Sequence, residues 1–293
     1  MPQKQHYIPQ FYQRQWVDEE GRLCEYTRRG NAVRARMCFP AGTGYQPGLY
    51  TIPEVAEPIA NHTENVFLSR VDTGAAQALR GMIGPDQPYV WTSPIKSEWI
   101  RFVMSLMHRT PERVDYLKAE IANEYPRLLQ EFRDRYPTMR GPKDPETFEE
   151  YQAKMAPNPV GRASAVLLQM MINSQRVGEL LSAMQWHVIG IDNSPEPFLT
   201  SDRPIIMTNG LIGPTDHLAL PISPTHLFLA VNDNRVLRDL QSRDPVEVLR
   251  HINDRLVSQA RKYVYGRDAS QLAFVEDRLG SQIPSTPLET ARR

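Results

Sequence analysis

Cysteine is nearly absent from this chain. Cys24 and Cys38 are the only two in 293 residues, and their spacing matches neither a CxxC redox pair nor a zinc cluster. Free thiols in a reducing compartment are expected rather than a disulfide. Net charge is absent too. Lys plus Arg equals Asp plus Glu at 34 each, so no global field draws the chain to nucleic acid or a membrane surface, although a local basic patch stays open. No run approaches the ~18 apolar residues of a membrane-spanning helix. The opening Met1 to His6 is polar, and without an apolar h-region no signal peptide is expected. These absences point to a soluble, cytoplasmic protein. Also missing are GxxxxGK[ST], HExxH and GxSxG, the signatures of P-loops, zincins and nucleophile elbows. No internal repeat or low-complexity tract is present.

What is there suffices for a core, since 41% of residues are hydrophobic. Four aromatic rings fall between His6 and Trp16, so this segment should pack on the body. Leu23–Thr27 alternates like a strand, with Arg34–Phe39 as its partner. Asn61 or Thr63 can cap a helix reaching Met82. Ser93-Pro94 starts another that runs to about His108, and Thr110-Pro111 a charged one to about Arg135. A turn-rich linker follows from Pro137 to Pro145, then a short helix to about Met155. Arg162 to Met184 reads as one long apolar helix. Short strands are expected at 186–191, 198–200, 205–207, 218–222 and 227–231. A last long helix is expected from Asp244 through Val264, ended by Gly266, then a short one at 269–279 and a loose tail over 281–293. The pattern predicts one α+β domain over 1–280. In it, a mainly antiparallel sheet from the N-terminal and late strands packs on a central helical block, a lobe at about 93–184.

The stretch of most interest is Phe198-Leu199-Thr200-Ser201-Asp202-Arg203-Pro204-Ile205-Ile206. Apolar runs flank two hydroxyls, a carboxylate and a guanidinium, and Pro204 biases Arg203 toward extended backbone. Such a polar kink between buried strands can hold a side chain still at a cleft edge. Asp202 reads either as a base or cation ligand, or as an Asx-type turn or ion pair with Arg203. His6 reads as a ligand or proton shuttle, or as a core histidine; Tyr7 and Gln10 flank it. Glu64 and Asp72, eight residues apart on one predicted helix, fall within about a quarter-turn of each other. Arg109 reads as a phosphate or carboxylate clamp, or as a helix C-terminal cation. Asn253 is a poor helix former in the last long helix, which suggests a special task.

His6-Tyr7-Ile8-Pro9-Gln10, the helix at Glu64, Arg109-Thr110-Pro111 and Phe198 to Pro204 occur in that order. The chain thereby resembles a widespread bacterial and phage family of uncharacterised proteins with an N-terminal H-Y-[IV]-P-[QR] motif and a late F-[IL]-T-S-D-x-P motif. The resemblance covers about residues 4 to 265. The family commonly has Asn where Arg203 stands and Glu where Asp72 stands. It implies that His6, Glu64, Arg109, Ser201 and Asp202 belong to one site, and it supplies no reaction.

Acids, a histidine and an arginine beside kinked backbone suggest a metal-assisted hydrolase of a phosphate-containing substrate, of the nuclease or nucleotide phosphodiesterase type. In this expectation Asp202, Glu64 and His6 hold Mg²⁺ or Mn²⁺ or activate water, and Arg109 neutralises phosphate charge. Gln10, Tyr7, Thr200, Ser201, Arg203 and Asn253 position the substrate. The alternative is a non-catalytic ligand-sensing or interaction module with a buried polar network.

Overall fold

In a computed structural model, residues 2–84, 89–191, 194, 196–208 and 210–282 are described. Most of the expected tail, from 283 onward, lies outside them, as do residues 85–88 in the predicted break after Gly84. The chain opens with strand β1 (Lys4–His6), helix α1 (Gln10–Gln13) and a 3₁₀ turn at Arg14–Trp16. Hairpin strands β2 (Leu23–Arg29) and β3 (Ala32–Cys38) follow, then β4 (Tyr45–Pro47), which pairs antiparallel with β1 so that His6 faces Tyr45. A π-helical turn at Thr63–Leu68 runs straight into α2 (Ser69–Ile83).

Helices α3 (Ser93–His108), α4 (Pro111–Met139), α5 (Phe148–Ala153), α6 (Pro159–Ile172) and α7 (Gln175–Ala183) come next. The second half holds β5 (Gln185–Gly190), β6 (Thr200–Ser201), β7 (Ile206–Met207), β8 (His217–Pro221), β9 (His226–Val231), α8 (Asn234–Ser242), α9 (Pro245–Gln259), β10 (Tyr263–Gly266) and α10 (Leu272–Arg278). Proline occupies the first turn of α3, α4, α6 and α9, where its missing N–H costs nothing. Side chains of Asn158 and Asp244 accept the first free amides of α6 and α9.

The class is α+β, with antiparallel pairing in every described sheet. The strands divide among three sheets rather than forming one: β1-β4, β3-β2-β10-β6 and β5-β9-β8-β7. The last sheet is covered on both sides. Leu218, Leu220, Phe228 and Ala230 point into a core built with the N-terminal segment and α2, α3, α4, α6 and α7. Ala219, Leu227, Leu229 and Val231, one residue out of phase, point into a second core with α9, α10, Tyr26 and Val264.

Three expected boundaries differ. The long helix at 162–184 is broken at Asn173-Ser174, where Asn173 turns its side chain to Arg101. Helix α4 continues through Pro137 to Met139, because Tyr136 is buried and packs with Phe132, Phe148 and Tyr151 against α5. Helix α9 stops at Gln259, and Tyr263–Gly266, read as helical, is a strand between β2 and β6. Tyr-Val-Tyr is a β-favouring run, and the carboxylate of Asp202 holds the turn that separates it from the helix. Helix α8 was not anticipated.

Candidate functional site

The sequence-selected residues assemble into two groups rather than one. The first lies where β1, the π turn, α2 and the end of α3 meet. The His6 amide donates to Glu64 Oε1 at 3.3 Å. Arg109, which caps the C-terminus of α3, has only 1% of its surface exposed. Its fork donates to Asp72 Oδ1 and Oδ2 at 2.7 and 3.2 Å and to the His6 carbonyl at 2.7 Å. The Tyr50 hydroxyl donates in turn to the Arg109 carbonyl at 2.6 Å. Arg109 therefore ties the first strand to α2. Its two terminal nitrogens are committed to the protein, so the expected free guanidinium clamp is not available.

Three buried atoms in this group lack a hydrogen-bond partner: His6 Nε2, Glu64 Oε2 and Arg109 Nε. Buried polar atoms without partners are costly and uncommon in folded proteins. Here three fall on residues linked through the backbone of His6. Glu64 sits on the π-helical turn, a backbone form frequent at functional sites. Burial first, then the positive charges of Arg109 and Lys4, lower the His6 pKa to about 4. Burial raises the Glu64 carboxyl, against the opposing pull of Arg109 and the His6 amide. His6 thus carries a neutral imidazole, and Glu64, bonded to the His6 backbone amide, a carboxyl inclined to keep its proton.

The second group surrounds the late bend. Strand β6 ends on Ser201 and β7 begins on Ile206, and the two belong to different sheets. The bend is the crossing point between sheets, which explains its two short apolar flanks and Pro204. Asp202 is buried, and its carboxylate accepts three backbone amides: Arg261 at 2.9 Å, Lys262 at 2.7 Å and Tyr263 at 3.1 Å. Burial raises its pKa to about 6 in spite of those donors. Asp202 is thus an anchor for the α9–β10 turn. Among the described residues no group of three or more His, Cys, Asp or Glu could hold a metal ion, so His6, Glu64 and Asp202 do not gather as one ligand set.

The neighbours of Asp202 are similarly occupied. Ser201 Oγ accepts the Arg203 amide at 3.1 Å. The Arg203 carbonyl accepts from Gln259 at 2.5 Å. Thr200 is fully buried, and its hydroxyl meets the Tyr12 hydroxyl at 2.7 Å. Asn253 takes the Leu199 amide at 2.9 Å and donates to the Pro197 carbonyl at 3.0 Å. Those two hydrogen bonds to the segment leading into β6 are a structural task for an asparagine placed in a helix. Gln10 opens α1, half-buried.

The opening segment does rest on the late bend, through aromatic side chains rather than through His6. Trp16 Nε1 donates to the Phe198 carbonyl at 2.8 Å, and the Tyr12 hydroxyl to the Pro221 carbonyl at 2.6 Å. Tyr7 lies between the groups. Burial, then the charge of Asp202, pushes its phenol well up, with Tyr263, Glu112 and Tyr50 adding to the effect. Sequence reasoning missed a further polar cluster beside it. Buried Glu25 accepts two bonds from Arg36 and one from Thr43, whose hydroxyl also meets Tyr265 at 3.0 Å. Both amide atoms of buried Gln13 lack partners, and its Nε2 lies 2.6 Å from where a Cβ on Gly44 would stand. An acid and a glutamine inside apolar segments were the available signal.

A family model described as "Protein of unknown function (DUF4238)" matches residues 4–270. No curated protein and no solved structure matches the chain.

Proposed function

The chain belongs to the DUF4238 family of proteins of unknown function, and from that premise we propose that it is a hydrolase of a small phosphate-containing substrate, working by general acid–base chemistry at His6 and Glu64. The observation that carries this reading is that His6, Glu64 and Arg109, linked through the His6 backbone, each keep a buried side-chain atom without a hydrogen-bond partner: Nε2, Oε2 and Nε. A neutral imidazole takes a proton from the attacking water or hydroxyl, and a carboxyl with a raised pKa returns one to the leaving oxygen. Arg109 and Lys4 already act on His6 electrostatically, and their positive potential suits an anionic phosphoryl group. Arg109 serves as a positioning group, since Asp72 and the His6 carbonyl hold its fork. The balance of charges over the whole chain favours nucleotide-sized substrates over long nucleic acids.

The test is a turnover screen with bis(p-nitrophenyl) phosphate, p-nitrophenyl phosphate and nucleotides, each with Mg²⁺, with Mn²⁺ and with EDTA. Activity should fall by about 10²- to 10⁴-fold in His6→Ala and Glu64→Gln, with the unfolding midpoints retained. A folded wild type without turnover on any of these substrates overturns the reading. A second reading, a ligand-sensing or interaction module, is favoured by the full internal bonding of Asp202 and Asn253. Nucleotide binding without product formation would select it.

A further inference from the structure

Tyr50, whose hydroxyl holds the Arg109 carbonyl, also lines a cleft outside the candidate site. It is a cleft of about 410 Å³ between α4 and α6, closed at one end by the segment Tyr50–Pro53 and the start of the π turn. Ile52, Val114, Leu117, Val160 and Leu168 line it, and Ala122 and Ala165 keep its walls low. Small-molecule sites have this size and character: mainly apolar, with a few fixed polar groups.

Lys118 is the one cation on that wall, and it is half-buried. Its ammonium donates to the Leu49 carbonyl at 2.8 Å. Among the described residues no carboxylate lies within ion-pair distance of it. Asp115, one turn earlier on α4, acts on it only at longer range, and burial lowers its pKa. An ammonium has three donors, so two remain for a guest. A cation taken partly out of water without a counter-ion is unfavourable by itself, and an anionic guest would relieve it. Thr63 adds a buried hydroxyl residue at the same end.

We propose that this cleft binds a small apolar monocarboxylate, its hydrocarbon part lying between α4 and α6 and its carboxylate pairing with Lys118. The site is independent of the acid–base reading at His6 and Glu64. It adjoins that group through Tyr50 and through Thr63, which precedes Glu64 on the π turn.

The test is calorimetric titration of the full chain with decanoate, with decanol and with decyltrimethylammonium. Decanoate should bind roughly ten- to a hundredfold more tightly than decanol, the worth of a charge-assisted bond, and the cationic analogue should not bind. Lys118→Met should erase the preference of decanoate over decanol while leaving decanol binding in place. Ala165→Phe, which fills the cleft, should abolish both, with circular dichroism showing that each variant is folded. Equal affinity for decanoate and decanol, or a preference that survives Lys118→Met, would overturn the carboxylate–lysine pairing. No binding of any of the three would overturn the cleft as a site. Phosphoester turnover is read in a separate assay, so either result leaves the other standing or falling by itself.

Discussion

Replacing Asp202 with Asn tests the claim that this residue holds the fold together. The substitution keeps one oxygen for the Arg261 amide but turns an NH₂ toward the amides of Lys262 and Tyr263, now bonded at 2.7 and 3.1 Å. Two buried donors lose their acceptor and meet another donor. At ~1–3 kcal/mol for each unsatisfied group, the loss is about 2–6 kcal/mol, or a Tm roughly 4–12 °C lower for a chain of this size. Urea unfolding followed by far-UV circular dichroism measures it. The pH dependence carries a second check. The Asp202 carboxyl stands at about 6 in the folded chain against 3.8 for the ordinary group. Its folded value is therefore the higher one, so between about 4 and 6 the folded chain holds a proton that the unfolded chain has released. This contribution is complete below about 4 and is lost as pH rises through 6, amounting to about 3 kcal/mol. The penalty of Asp202→Asn should thus be larger at pH 4 than at pH 7. An unchanged midpoint in Asp202→Asn would refute the anchoring role. A penalty larger at pH 7 would show that the three amides outweigh burial.

Arg109→Lys should cost about 2–4 kcal/mol in the same unfolding assay. A point charge cannot reproduce a fork that spans Asp72 and the His6 carbonyl. The His6 imidazole should titrate near 4 by NMR. Its folded value lies below the ordinary 6.5, so the stability it contributes is present above 6.5 and is lost as pH falls toward 4. Arg109→Met should move that titration upward, because the guanidinium is one of its depressing charges.

Much of the architecture could be read from local pattern. The Pro-initiated helices, the β2–β3 hairpin and the alternating strands β8 and β9 follow from caps, turn residues and period-two burial. Helix α9 shows where that reading stops. Val257, Ala260 and Val264 continue a helical spacing, yet Val264 belongs to a strand whose partners, Tyr26 and Ser201, are far away in the chain. The break at Asn173-Ser174 escaped for a related reason, since the side chain that engages Asn173 comes from Arg101.

The candidate site divides along the same line. Residue types and order marked out His6, Glu64, Arg109 and Asp202, because ionisable groups set into apolar segments need partners wherever they fold. Which partner each obtains is a matter of three dimensions. Asp202 received three amides from the turn after α9, and Arg109 received Asp72 and a carbonyl of the first strand. His6 and Glu64 were left with one buried atom each unpartnered. The chain's chemistry dictates that such groups be satisfied or else costly. Only the packing of strands distant in sequence decides which of them is spent on structure and which remains free to act.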